Sequence, residues 1–337
     1  MRFPRLFLIS RAMTVIYSND QIPVGLNPSA LTIGAFDGLH VGHRALITEL
    51  RSRAQAMGLD SVVVTFDKHP ATIVRPASAP KLITDLDSKI ELIKSTGVDL
   101  VYIIQFDQHR ADQSPNDFVI GELVERLRAK IIVVGSDFHF GKDRQGNLEF
   151  LGTLGGHYGF ELEAIELIPA RSRGITEPAI ATQAISSTRI RGLLAEGHVE
   201  LANLLLGRDF FLPGRVVHGD GVGRSQLGYP TANLQVAPDL ILPGDGVYYG
   251  WSDLDGKTWP TVISLGKRPT YYDRQPSSLL EAHLLGFDQD IYERSIRVAF
   301  SGKLRDQRRF DSTEELVKAI EDDVKLAKGH LGLEEIA

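Results

Sequence analysis

Apolar and polar positions follow two different rhythms along this chain of 337 residues. From Leu31 to about Leu167, short apolar runs of β character alternate with stretches whose apolar residues recur at helical spacing. The runs from Leu31 to Ile33, Ser61 to Phe66, Leu100 to Ile104, Ile131 to Val134 and Leu162 to Ile165 predict strands. The stretches from Gly42 to Met57, Ser88 to Ser95, Pro115 to Arg128 and Leu148 to Tyr158 predict helices. Strands that alternate with helices in this way form βαβ units, so a parallel sheet covered on both faces is expected. Helical character continues from His198 to Leu206, and then the pattern changes. From Phe210 on, β-type runs (Phe210 to His218, Val247 to Asp253, Trp259 to Leu265, Leu279 to Leu285, Ser295 to Phe300) stand between Gly- and Pro-rich turns. That spacing predicts a small antiparallel barrel. A last helix from Ser312 to Lys328 closes it, with Ser312 as cap and Glu315 completing a capping box.

Length supports this division, because about 150 residues per domain makes two domains. The boundary falls near 199–209, giving domains 13–200 and 201–337. The net charge of −6 and the lack of a basic stripe argue against nucleic-acid binding. With no cysteine there are no disulfides or thiolate metal sites, which suits a reducing cytoplasm. No apolar run reaches the ~20 residues of a membrane span. The basic start from Met1 to Ala12 has too short an apolar core for a secretory signal, and Met13 is an alternative start. Small-molecule substrates and a monomer or weak homo-oligomer are expected.

The chemistry concentrates after the first strand of the alternating half, in Gly34-Ala35-Phe36-Asp37-Gly38-Leu39-His40-Val41-Gly42-His43. A strand, a tight turn and a helix start in that order bring backbone N–H groups and the positive end of a helix dipole to one point, where a phosphate is favoured. His40 and His43, three apart, can face the same anion. A lone histidine there is a cap or a surface residue, and a glycine-rich turn alone is a weak signal. Ligands of such sheets bind beyond the carboxyl ends of strands where strand order switches, and two further loops leave such ends. One is Phe66-Asp67-Lys68-His69-Pro70, which by itself also reads as a plain turn. The other, Gly135-Ser136-Asp137-Phe138-His139-Phe140-Gly141, offers aromatic faces for stacking a planar ring, unless Phe138 or Phe140 packs into the core. Ser187 and Thr188 read as helix caps, but Arg189 and Arg191 beside them suggest an anion, because a helix start disfavours positive charge. Arg189 is the expected ligand, while Arg191 also fits a surface ion pair. In the second half, Thr231 and Asn233 follow the glycine-rich stretch that holds Gly223 and Gly228. Their oxygens suit magnesium, and an Asx or Ser/Thr turn explains them equally well. Glu281 alternates with His283 inside an apolar run, either on the outer face or in a site. A phosphoryl acceptor needs such a carboxylate.

The first motif resembles the HxGH motif of nucleotidyltransferases. In full it is similar to the adenylyltransferase module of bacterial bifunctional riboflavin kinase/FAD synthetases. The segments Thr-Phe-x-x-His-Pro, Val-Gly-x-Asp-Phe-x-Phe-Gly, Ile-Ser-Ser-Thr-Arg-Ile-Arg, Pro-Thr-Ala-Asn and Glu-x-His-Leu-Leu resemble that family in order, from Leu31 to about Asp323. The resemblance implies an α/β plus β chain: a Rossmann-like nucleotidyltransferase domain with a parallel sheet, then a riboflavin kinase-type barrel with a terminal helix. It also implies two ATP-dependent reactions, riboflavin to FMN and FMN to FAD, with Mg2+. The ATP site for adenylyl transfer is expected at Gly34, Phe36, Asp37, Gly38, His40, His43, Asp137, Ser187, Thr188 and Arg189. Flavin is expected at Phe66, His69, Pro70, Phe138, Arg305 and Arg308. Kinase ATP is expected at Gly223, Gly228, Pro230, Thr231 and Asn233, the last two on magnesium, with Glu281 as base and His40, His43 and Arg189 catalytic in the other domain. Ser264, Gly286, Glu293 and Ala319 depart from the family pattern, in which asparagine, aspartate, glycine and glutamine are common at those positions. Rival readings are another small-molecule nucleotidyltransferase, which needs no Pro-Thr-Ala-Asn barrel, and a non-catalytic flavin carrier, which needs neither the histidine pair nor Glu281.

Overall fold

The computed structural model describes residues 13–22, 26–166, 184–218, 229–267 and 278–333. Two compact units result: one takes in residues 1–80 and 84–169, the other Lys81–Ile83 and the chain from Ala170 on.

The first unit is built on a six-stranded parallel sheet of β1 (Thr14–Tyr17), β2 (Ser29–Ile33), β3 (Asp60–Phe66), β4 (Leu100–Ile104), β5 (Ala129–Gly135) and β6 (Glu161–Ile165), in the order β1-β4-β3-β2-β5-β6. Strands β2 and β4 are buried along their whole length, as expected of strands covered on both faces. One face packs Ile47, Leu50 and Ala54 of α1 (Val41–Met57) on Ala30, Val63, Val101 and Val133. The other packs Leu123 and Leu127 with Leu151 of α6 (Leu148–Tyr158) on Leu31, Val62, Tyr102 and Ile132. The order reverses at β2, which has β3 on one side and β5 on the other. Helix α2 (Ala71–Val74), α3 (Leu86–Lys94) and α4 (Gln108–Asp112) lie between β3 and β5.

Helix α5 covers Pro115 to Arg126 and so matches the expected span, but after one turn it widens into a π-helix from Val119 to Arg126. The Leu127 N–H bonds the Glu122 carbonyl five residues back, which is the π pattern. Buried Glu122 is held there by Arg110 at 2.6 Å. Strand β1 was not expected: it is a four-residue edge strand whose register is set only by its partner β4.

The second unit holds α7 (Ser187–Ala195) and α8 (Val199–Leu206), then a closed barrel of β7 (Phe210–Val217), β8 (Ala232–Gln235), β9 (Gly246–Leu254), β10 (Lys257–Lys267), β11 (Ser278–Leu284) and β12 (Ser295–Arg305), and last α9 (Thr313–His330). Phe210, Leu212, Leu234, Tyr248, Ile263, Leu280, Val298 and Phe300 are all almost fully buried, at alternate positions of their strands. Helix α9 lays Ala327 and Val324 on Val247, Val262 and Leu285. Ser312 caps it by accepting from the Glu315 N–H, while Glu315 accepts from Asp311, one residue before the cap.

The division between units falls at Pro169, ahead of the change in composition near 199–209. Helices α7 and α8 group with the barrel because their polar groups bond to it. The Asn203 amide donates to the Phe300 carbonyl at 2.8 Å and accepts from the Phe210 N–H at 2.7 Å, and the Gly244 N–H donates to the Leu194 carbonyl.

Candidate active sites

At the carboxyl end of β2 the backbone turns through three residues of positive φ, Phe36 at 49°, Gly38 at 78° and Leu39 at 37°, before α1 begins. The Phe36 ring folds back beneath Gly34, where a Cβ would come within 3.2 Å of it, and is 1% exposed. Phe36 therefore anchors the turn in the core, its ring covered and not offered to solvent. Asp37 is likewise inward, 4% exposed, accepting from the Thr84 N–H at 3.0 Å, while the Thr84 hydroxyl accepts from the Gly38 N–H. Both were expected on ATP; the structure makes them the frame of the turn.

His40 caps α1, its Nδ1 accepting from the His43 N–H at 3.3 Å, so Nε2 carries the proton of the neutral ring. The two imidazoles stack at 3.6 Å, and the Phe36 ring meets His43 edge-on at 5.0 Å. His40 is 5% exposed, deeper than a ring expected to face an anion, whereas His43 is half-buried. The His43 Nδ1 is covered and has no hydrogen-bond partner among the described residues. Burial, then the neighbouring His40, holds the His43 pKa well below the ordinary histidine value, so the ring is neutral at pH 7. A neutral imidazole with an unsatisfied ring nitrogen, set where the strand order reverses, is what a site awaiting a polar ligand presents.

The neighbouring strand ends carry the other expected loops. Phe66 is partly buried and meets Phe106 edge-on, and the His69 Nδ1 accepts from the Ala71 N–H, bracing Pro70 at the start of α2. Beyond β5, Phe138 and Phe140 stack at 5.4 Å, and Phe140 is wedged against Gly146, Phe118 and Phe150. Asp137 is exposed, with its carbonyl toward the His139 ring at 2.8 Å. Lys89 of α3 was missed by sequence reasoning. It is 7% exposed and donates to the carbonyls of Phe66 at 2.6 Å and Ala35 at 3.4 Å.

On α7 the cap is Ser186, which accepts from the Arg189 N–H, so Ser187 and Thr188 lie within the first turn. The Arg189 Nε is buried with no partner among the described residues. Arg191 donates its Nε to the Lys81 carbonyl at 2.6 Å.

In the barrel, Thr231 leads into β8, a strand absent from the sequence reading. Glu281 pairs with Asn233 of β8 on one side and Ser264 of β10 on the other, on the face opposite Leu280 and Ala282 inside the barrel. The Asn233 Oδ1 is buried with no partner among the described residues. The His283 Nδ1–H donates to the Pro230 carbonyl at 2.7 Å and so ties β11 to the chain before Thr231; its alternation with Glu281 was the signal for it. Burial lowers the His283 pKa, partly offset by that carbonyl. Ser264 accepts a hydrogen bond from the Gln307 amide at 3.0 Å. Arg305 is committed to a two-pronged bond with buried Asp323 at 2.8 and 2.9 Å and so fastens α9, while Arg308 is exposed above the Phe310 ring. Gly223 and Gly228, with Arg268 to Thr270, lie outside the described residues.

The FAD synthetase family model matches residues 23–178, and the riboflavin kinase family model matches residues 206–331. The chain belongs to the bifunctional riboflavin kinase/FMN adenylyltransferase family. A relative of that description from Pseudomonas fluorescens is 40% identical over 88% of this chain and 91% of its own. Another, from Escherichia coli strain K12, is 36% identical over 90% of this chain and 93% of its own. A solved structure described as a macrolide-efflux protein from Streptococcus pneumoniae superposes with a TM-score of 0.79 at 28% identity, covering 94% of this chain and 99% of that one. No helix among the described residues of the present chain is long and apolar enough to cross a membrane.

Proposed function

We propose that this member of the family makes FAD in two ATP-dependent steps, with one catalytic site on the β2–α1 turn and the other on the β8–β11 wall of the barrel. In the first step the 5′-hydroxyl of riboflavin attacks the γ-phosphorus of ATP, the hydroxyl proton passes to Glu281, and ADP leaves. The pairing of Glu281 with Asn233 across two strands supports this, since it sets a carboxylate beside neutral oxygens. Thr231 and Asn233 would hold magnesium, whose charge neutralises the phosphates; the unsatisfied Asn233 Oδ1 fits that ligand, and none of the described residues form a cluster of carboxylates or imidazoles for a metal.

In the second step a phosphate oxygen of FMN attacks the α-phosphorus of another ATP, and pyrophosphate leaves. His40 and His43 orient the phosphates as neutral donors, and the N–H groups at the start of α1 stabilise developing charge. Arg189, with Ser187 and Thr188, supplies the second phosphate grip; its unsatisfied Nε favours an anionic partner. The adenylyl-transfer domain then reaches to about residue 200. Phe66, His69, Pro70 and Phe138 lie at strand ends next to that turn and suit the flavin, with Arg308 the better placed of the two arginines at the kinase flavin loop. The lack of cysteine fits a reducing cytoplasm, where we place the enzyme.

The observation that carries this reading is the His43 ring, stacked on its partner histidine and unsatisfied at the switch in strand order. Incubation with riboflavin and magnesium-ATP, followed by chromatography, tests it: FMN is expected to appear first and FAD after it. Flavin that binds without turnover would favour a carrier instead.

A further inference from the structure

A lysine ammonium buried under the adenylyl-transfer turn has no place in the mechanism above. Lys89 projects from the sheet-facing side of α3 into the space between the ends of β2 and β3. There it donates to Phe66, the last residue of β3, and to Ala35, just past β2, whose carbonyl also accepts from the Thr65 hydroxyl at 3.2 Å. The residues that follow these two carbonyls in sequence are the two loops of the proposed site, Phe36 to His43 and Asp67 to Pro70. Two carboxylates face the ammonium, Asp37 from the turn after β2 and Asp67 from the loop after β3. Asp37 braces Thr84, and Asp67 accepts from the Phe106 and Lys68 N–H groups, so neither is placed to leave. Two fixed negative charges under a triphosphate site repel the ligand, and the cation between them offsets that field.

We infer that Lys89 is a positioning residue for adenylyl transfer: its ammonium ties the carbonyl ends of β2 and β3 together, sets the spacing of the histidine turn and the His69-Pro70 loop, and neutralises Asp37 and Asp67 beneath the nucleotide. A purely structural filler of this space would be apolar, since a buried ammonium is disfavoured by desolvation. Desolvation lowers the Lys89 pKa to about 8, against the opposing pull of Asp37 and then Asp67. The group is therefore charged at neutral pH and loses its proton as the pH rises through that value.

The inference rests on placing adenylyl transfer at the β2–α1 turn, and the test separates the two. FAD formation from FMN and FMN formation from riboflavin are measured across pH for the wild type, Lys89→Met, Lys89→Arg and His43→Ala. Lys89→Met is expected to lower kcat for FAD formation on the order of ten- to a hundredfold, as a displaced reacting group does, with FMN formation unchanged. The wild-type FAD rate should fall as the pH rises through about 8, and Lys89→Arg, whose guanidinium keeps its charge, should keep most of the neutral-pH rate and lose that alkaline fall. The same alkaline fall in Lys89→Arg, or a wild-type rate in Lys89→Met, overturns the inference. If Lys89→Met does not fold, the Lys89→Arg profile decides. If His43→Ala still makes FAD, the placement of the site fails, whatever the lysine variants do.

Discussion

His43 carries a consequence of its own at the scale of single residues. In the unfolded chain its imidazole takes up a proton near the ordinary histidine pKa of about 6.5. In the folded chain it does so only at lower pH, because burial and His40 oppose the charge. Below about 6.5 the unfolded state therefore binds more protons, and stability falls as the pH falls through that window. The melting temperature of the amino-terminal unit should drop on acidification from pH 7 to 5, and His43→Ala should flatten that dependence; equal slopes would show that the ring is not held neutral. A second prediction concerns Thr84. Its replacement by valine removes the hydroxyl donor to buried Asp37 and the acceptor for the Gly38 N–H, while the backbone N–H donor to Asp37 survives. The loss should be about 1–3 kcal/mol in urea unfolding, with FAD formation reduced more than FMN formation. His40, His43, Arg189 and Glu281 were legible because residue type and spacing, together with the family resemblance, single them out, which needs no fold. Thr84 and Lys89 were not, since they act on residues 47 and 54 positions away, a proximity only the folded sheet creates.

Among elements, the alternation of apolar runs with helical periods was enough to place β2 to β6 and helices α1, α3, α5 and α6 within one or two residues of where they lie, but not the short α2 and α4. What escaped were elements with little pattern of their own. Strand β1 is a four-residue edge strand, and β8 spans only Ala232–Gln235 after a glycine-rich stretch, so its identity comes from pairing with β7 and β11. The widened turn of α5 was equally illegible, as nothing in helical periodicity tells a π-helix from an α-helix. The cap of α7 moved by one residue from the expected Ser187 to Ser186. Ser186→Ala should cost about 1 kcal/mol of stability in the unit that carries α7, read as a shifted denaturation midpoint, and should raise the KM for ATP in FAD formation with little change in kcat. An unchanged KM would separate this helix from the nucleotide.

Taken whole, the molecule pairs an open parallel sheet, whose ligand end is set by the reversal of order at β2, with a closed barrel, whose candidate site is set by strand register on its outer wall. The two reactions share a product and a substrate but no proposed catalytic residue. They should therefore separate genetically and recombine in solution. Supplied with riboflavin and magnesium-ATP, His43→Ala should stop at FMN and Glu281→Ala should leave riboflavin untouched, while a mixture of the two variants should make FAD as FMN released by one is adenylylated by the other. FAD from either variant alone would contradict the assignment of one reaction to each site.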